Sequence, residues 1–123
     1  MPAIPSVLIV DDNADSRCLL SELLSALGTE RIVEAASAEE GLATLAKESF
    51  AIILSDYRLE GMDGSEFIAR LRESGNATPV LMVSGSPEQK AVLRATALPK
   101  VDFFPKPFRI ADLQKAMERL LAA

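Results

Sequence analysis

Five polar residues with compatible chemistry follow short apolar runs in this chain of 123 residues. They are Asp11, Asp12, Asp56, Ser84 and Lys106. Three carboxylates held close together repel one another, and a divalent cation with oxygen ligands removes that repulsion. Mg²⁺ prefers one or two carboxylates with water and phosphate oxygens, and an ammonium and a hydroxyl complete a site for a phosphoryl oxyanion. The set therefore indicates cation-assisted phosphoryl chemistry.

Asp56 is the candidate nucleophile of this set. A carboxylate can accept a phosphoryl group and become an aspartyl phosphate, and the transfer requires mainly positioning and charge neutralisation. Asp56 stands alone after the apolar run 51–54, whereas Asp11 and Asp12 are adjacent. We therefore expect the adjacent pair to hold the metal and Asp56 to react.

The intervening sequence predicts the elements that must bring these residues together. Short apolar runs alternate with longer stretches at helical period, which is typical of strands that cross over through helices into a parallel sheet. The predicted strands are 7–10, 32–35, 51–54, 80–83 and 101–104. The predicted helices end at Gly28, run through 37–47 and 63–73, begin at Ser86, and span 110–121. Since ligands bind beyond the carboxyl ends of such strands, the five polar residues are expected at one edge of the sheet.

Two helix starts and one helix face are predicted in more detail. Ser37 with Glu40 has the spacing of a capping box, and Asp63 with Glu66 repeats it. The leucines of the first helix recur at helical spacing and are predicted to lie in the core. Cys18, in the same helix, is predicted to be a buried or partly buried apolar side chain.

Composition excludes several other classes of protein. The length fits a single domain, 1–123, with a core at about 5–121. Thirteen basic and eighteen acidic residues give a net charge of -5, which argues against direct nucleic-acid binding. Without histidine there is no imidazole base, catalytic triad or His-based metal site, and a lone cysteine forms no internal disulfide. Apolar runs of only four residues predict no membrane insertion and a cytoplasmic location.

The segments around the polar residues resemble the receiver domain of bacterial two-component response regulators. The matching segments are 7–13, 54–59 with 61–64, 83–85 and 103–108. Each segment is a modest signal, but four of them in this order and at these separations are specific, and they cover essentially the whole chain. The resemblance implies a flavodoxin-like α/β fold, a doubly wound five-stranded parallel sheet with strand order 2-1-3-4-5.

The resemblance also implies how the acidic residues act. Asp56 would accept a phosphoryl group from a histidine kinase or a histidine phosphotransfer protein. Asp11, Asp12 and Asp56 would bind Mg²⁺ or Mn²⁺. Arg58 would contribute its backbone carbonyl to the same metal.

A conformational switch follows from the same resemblance. Ser84 would donate a hydrogen bond to a phosphoryl oxygen, and Lys106 would pair with the phosphoryl charge. Phe103 would rearrange together with Ser84. The change would be read by a downstream protein target or an output domain at the face formed by the fourth helix, fifth strand and fifth helix. That face is also the candidate surface for a homodimer.

Two other functions fit parts of the pattern. A haloacid-dehalogenase-like phosphatase also uses an aspartyl nucleophile, but that family needs a second acid two residues later, where this chain has Arg58. A pseudo-receiver that binds proteins independently of phosphorylation would require a defect in the site, and all five polar residues are present. The sequence favours a signalling domain that catalyses only its own phosphorylation and dephosphorylation.

Overall fold

A computed structural model describes residues 4–84, 100–105 and 109–122, and it describes Ser84 by its backbone alone. Its strands are β1 (Ser6–Val10), β2 (Arg31–Ala35), β3 (Ile52–Asp56), β4 (Arg58–Leu59), β5 (Met62–Asp63), β6 (Val80–Ser84) and β7 (Val101–Pro105). Five of them form one parallel sheet in the order β2-β1-β3-β6-β7. The remaining pair, β4 and β5, is a short antiparallel hairpin. The predicted flavodoxin-like order of the five main strands is confirmed.

Four helices are described. They are α1 (Ala14–Ala26), α2 (Ala38–Lys47), α3 (Gly64–Glu73) and α4 (Ile110–Ala122). The Ser37 side chain accepts from the Glu40 amide at 3.1 Å, and the Asp63 carboxylate accepts from the Glu66 amide at 2.9 Å. Both predicted helix starts are therefore confirmed. The helix predicted from Ser86 lies outside the described residues.

The interior strand β1 is buried on both faces, because helices cover both sides of the sheet. Val7 and Ile9 share one apolar cluster with residues of α1 and α4. Leu8 and Val10 share the other cluster with residues of α2 and α3. A strand buried in this way needs apolar residues at successive positions, which explains its unbroken apolar run.

The α1 helix covers the sheet with only part of its apolar arc. Leu24 is fully buried, but Leu19 is 57% exposed and Cys18 is also exposed. The predictions of a core role for Leu19 and of burial for Cys18 are therefore wrong. At about 100° per residue, Leu19 lies at the edge of the leucine arc opposite to Leu24, and Cys18 lies outside that arc.

The turn before β7 has an unusual backbone. Lys100 has a φ of 57°, and its carbonyl accepts from the Val80 amide at 2.9 Å. Arg72, in the last turn of α3, donates to the carbonyls of Asn76 at 3.0 Å and Lys100 at 3.4 Å. Partial burial lowers the pKa of the Arg72 guanidinium from its ordinary value.

In the three stretches 4–84, 100–105 and 109–122, no helix has both the length and the apolar character needed to cross a lipid bilayer.

Candidate functional site

Three aspartates meet at the carboxyl edge of the sheet. In the pairing of β1 with β3, Val10 is opposite Ser55, so the next residues, Asp11 and Asp56, leave the two strands side by side. Asp11, Asp12 and Asp56 each offer a carboxylate oxygen, and these three oxygens lie within 4.8 Å of one another. We call these residues the acid cluster. Asp11 is buried, Asp56 is half-buried and Asp12 is exposed.

Asp11 is held in place by hydrogen bonds on three sides. Its amide donates to the Ala35 carbonyl at 3.1 Å, which extends the pairing of β1 with β2 by one residue. Its carboxylate accepts from the Asn13 amide at 2.9 Å, and its carbonyl accepts from Nη1 of Arg17 at 2.6 Å. The backbone and the side chain of this buried acid are therefore both fixed.

The segment that carries Asp11 and Asp12 leads directly into α1. Asn13 caps the helix, since its side-chain oxygen accepts from the Ser16 amide at 2.9 Å. The two acids therefore lie at the amino end of α1, where the helix dipole is positive and favours negative charge. This placement partly offsets the repulsion within the acid cluster.

The acid cluster fits a hard divalent cation. Its donors are carboxylate oxygens brought together from two strand ends, and oxygen donors are the ligands that Mg²⁺ and Mn²⁺ take in proteins. The described residues around it supply no thiolate or imidazole ligand, since the chain contains no histidine and Cys18 lies on the exposed side of α1.

The next strand brings Ser84 to the same edge. Asp56 is paired with Val83, and the Tyr57 amide donates to the Val83 carbonyl at 3.3 Å. Ser84 follows Val83 and is paired with Pro105 of β7. The backbone register therefore carries Ser84 and Pro105 to the edge that bears Asp56. The side chain of Ser84, and the whole of Lys106, lie outside the described residues.

The chain after Asp56 forms a compact hairpin that the sequence did not predict. Arg58 lies exposed in β4, opposite Asp63 of β5. Tyr57 is buried beneath the hairpin, and its carbonyl accepts from the Gly64 amide at 2.7 Å. Strands of two residues have no periodic pattern, so hydropathy could not have indicated them.

Phe103 lies in β7 next to the core. It is half-buried, it is paired with Met82, and it packs against the cluster beneath α2 and α3. Its neighbour Phe104 packs against the opposite cluster. The role of Phe103 as a switch stays a prediction.

An apolar groove of about 710 Å³ opens beside the acid cluster, lined by one side of α1, by the ends of β1, β3 and β6, and by Ile110 at the start of α4. Asp11 and Asp56 lie on its wall, and Leu19, Leu20 and Ile110 contribute apolar surface. The sequence did not predict this groove, because it depends on how α1 lies against the sheet and against the start of α4.

Comparison with known proteins identifies the family. The family described as the response regulator receiver domain matches residues 7–118. A probable chemotaxis protein CheY of Rhizobium etli is 31% identical over 119 residues, which are 95% of this chain and 92% of that protein. The structure of the chemotaxis protein CheY4 of Vibrio cholerae is 33% identical, with a TM-score of 0.82 over 96% of this chain and 99% of that chain. A response regulator receiver protein of Pseudomonas putida is 30% identical, with a TM-score of 0.83 over 97% and 99% of the two chains.

The matches agree with the fold and with the acid cluster. Receiver domains are signalling domains rather than classical enzymes, and they bind Mg²⁺ at an acidic pocket. Both the five-stranded sheet and the convergence of three aspartates at its carboxyl edge are present here. The chain belongs to the response regulator receiver domain family of two-component systems.

Proposed function

We propose that this domain accepts a phosphoryl group on Asp56 from a histidine kinase or a histidine phosphotransfer protein, in a reaction that requires Mg²⁺ or Mn²⁺. The phosphorylated domain then regulates a downstream protein target or an output domain, and the exchange takes place in the cytoplasm. The observation that carries the proposal is the convergence of the three acid-cluster oxygens within 4.8 Å. Three carboxylates this close repel one another, and a divalent cation held between them beside a phosphoryl acceptor would remove that repulsion.

The acid cluster and the backbone carbonyl of Arg58 would hold the cation. When bound, the cation neutralises charge on the incoming phosphoryl group. Asp11 is suited to a holding role because it is 3% exposed and its carboxylate already accepts from the Asn13 amide. Its position would need little adjustment when the metal binds.

Asp56 is suited to the role of acceptor. It ends β3, which lies between β1 and β6 in the middle of the sheet, and its side chain is half-buried. Buried Asp11 is less accessible to a donor than Asp56. In the transfer, an Asp56 oxygen forms the new bond to phosphorus. The bond between phosphorus and the donor nitrogen breaks, and the imidazole leaves with its electron pair.

The response to phosphorylation would begin at Ser84 and Lys106. A hydroxyl that donates to a new dianion gains about 1.5–3 kcal/mol from a charge-assisted hydrogen bond. This energy is comparable to the few kcal/mol that separate two conformations of a domain. Lys106 would pair with the phosphoryl charge from the chain segment that follows Pro105.

Phe103 would convert this local change into a change of surface. It is half-buried in β7, so part of its ring already lies at the surface and part lies against the core. We place the partner-binding surface on β7, α4 and the helix predicted from Ser86, and the same surface is our candidate for a homodimer contact. We regard 1–123 as one receiver domain with a core at about 5–121.

The test uses acetyl phosphate as a small phosphodonor and intact-mass spectrometry as the readout. We expect the wild-type protein to gain one phosphoryl group with Mg²⁺ and none with a chelator. Asp56→Asn should gain none under either condition. The matched control is Asp63→Asn, which makes the same substitution outside the cluster and keeps a good helix cap. An Asp56→Asn protein that is phosphorylated like the wild type would overturn the proposal.

A further inference from the structure

We infer that Arg17 is a positioning residue for the metal ligands, acting through the backbone carbonyl of Asp11. The inference rests on the proposed function, because it assigns a role in binding the cation that the acid cluster would hold. Arg17 belongs to none of the segments that suggested the site from sequence. Its place follows from contacts that only the structure reveals.

The contact between Arg17 and Asp11 is short and largely shielded from water. Nη1 of Arg17 lies 2.6 Å from the Asp11 carbonyl oxygen, and the Arg17 side chain is 17% exposed. A hydrogen bond from a charged donor to a carbonyl is stronger than one between neutral groups. The guanidinium therefore holds this carbonyl more firmly than an exposed polar contact would.

The orientation of that carbonyl matters because of the peptide to which it belongs. The Asp11 carbonyl is part of the planar unit that joins Asp11 to Asp12. Fixing the direction of the carbonyl fixes the plane between these two residues, and both contribute carboxylates to the acid cluster. A change in the ψ angle of Asp11 would turn this carbonyl and swing Asp12 relative to Asp11 and Asp56, and the hydrogen bond from Arg17 opposes that movement.

Arg17 is itself held from the neighbouring strand. Nε of Arg17 lies 3.4 Å from one carboxylate oxygen of Glu34, and the Ser21 hydroxyl donates to the other at 3.0 Å. Residues 17 and 21 are four apart in α1 and therefore lie on one face of the helix. Glu34 is in β2, where it is paired with Ile9 two residues before Asp11.

The direction in which the Kd for Mg²⁺ changes when Arg17 is replaced separates a positioning role of this residue from a simple effect of its charge. The positive charge of Arg17 near the acid cluster repels a second cation, so removing the charge alone would make Mg²⁺ bind more tightly. Removing a positioning contact has the opposite effect, because the carboxylates then need to be ordered when the metal binds. Weaker Mg²⁺ binding after the loss of a nearby positive charge would thus favour positioning.

The experiment is a calorimetric titration of Mg²⁺ into the wild type, Arg17→Met, Arg17→Lys and Arg31→Met. Arg17→Met should raise the Kd for Mg²⁺ by roughly 10-fold, the lower end of the losses seen when groups that orient metal ligands are removed. Arg17→Lys keeps the charge and one donor, and it should lie between Arg17→Met and the wild type. Arg31→Met removes a β2 arginine that contacts Glu48 and Phe50 away from the cluster, and it should leave the Kd unchanged.

The outcomes are distinguishable. If the wild type binds Mg²⁺ and Arg17→Met binds it as tightly or more tightly, the inference is overturned and the proposed function stands. The inference is also overturned if Arg31→Met weakens binding as much as Arg17→Met does. If the wild type binds no Mg²⁺, both proposals fail. Circular dichroism tests whether each variant is folded. If Arg17→Met does not fold, the Kd of Arg17→Lys for Mg²⁺ is compared with that of the wild type instead.

Discussion

Gly64 lies directly against the side chain of Met82. A Cβ atom at residue 64 would approach the Sδ and Cε atoms of Met82 to 2.8 Å, and Cδ2 of Tyr57 to 3.0 Å. This close approach lets α3 begin immediately above β6.

We predict that Gly64→Ala destabilises the protein by about 1 kcal/mol, the lower end of the usual cost of forcing extra volume into a packed core, because the closest atoms lie at the flexible end of Met82. Met82 is fully buried, so its flexible end has little space into which to move. Urea denaturation followed by circular dichroism measures the change in the free energy of unfolding.

A second variant tests whether the contact with Met82 is responsible. Met82→Val shortens the side chain at the point of contact, so Gly64→Ala should cost less in that background than in the wild type. If the two substitutions are additive, the clash with Met82 is not the cause of the loss.

Asp12→Asn should raise the free energy of unfolding of the metal-free protein and reduce the further stabilisation that Mg²⁺ provides. In the metal-free protein it removes one charge from the acid cluster, so the free energy of unfolding should rise by up to about 1 kcal/mol, the scale of the repulsion at 4 Å in water. Added Mg²⁺ should then stabilise the variant much less than the wild type, because the stabilisation by a ligand grows with the logarithm of its concentration relative to its Kd, and the loss of a carboxylate ligand raises that Kd. Thermal melts over a Mg²⁺ series measure both effects.

The control for this experiment is Asp15→Asn, an exposed acid in the first turn of α1 that is not part of the acid cluster. This variant should keep the full stabilisation by Mg²⁺. Equal stabilisation of Asp12→Asn and the wild type would exclude Asp12 as a ligand.

Lys100→Gly should stabilise the protein by a few tenths to about 1 kcal/mol. Lys100 has a φ of 57°, a left-handed conformation that costs a residue with a Cβ roughly 1–2 kcal/mol. Glycine removes this strain, and the greater freedom of the unfolded chain offsets part of the gain. Lys100→Ala keeps the Cβ atom and should give no such gain in urea denaturation. If the alanine and glycine variants are equally stable, strain at this position does not limit stability.

The architecture was largely predictable because it depends on patterns local in the sequence. The apolar runs of β1 and β3 and the caps at Ser37 and Asp63 each specify an element from a few neighbouring residues. The strand order followed from the resemblance to receiver domains rather than from these patterns. The structure and the comparisons agree with it.

The acid cluster was predictable for a different reason. Its residues follow the ends of parallel strands, and such strands bring their carboxyl ends to one edge whatever the details of packing. The contact of Arg17 with the Asp11 carbonyl was not predictable, because it depends on one side-chain conformation and on the distance between α1 and β2. The exposure of Leu19 was missed for a related reason, since the rotation of α1 on the sheet decides which part of its leucine arc is buried.

The most direct test of the account is to locate the phosphoryl group chemically. The protein is treated with acetyl phosphate and Mg²⁺, and borohydride then reduces the aspartyl phosphate to homoserine before peptide mass spectrometry. We expect homoserine at residue 56, present with Mg²⁺ and absent when a chelator replaces it. Homoserine at Asp11, Asp12 or another acid, or an equal yield at residue 56 without the metal, would contradict it.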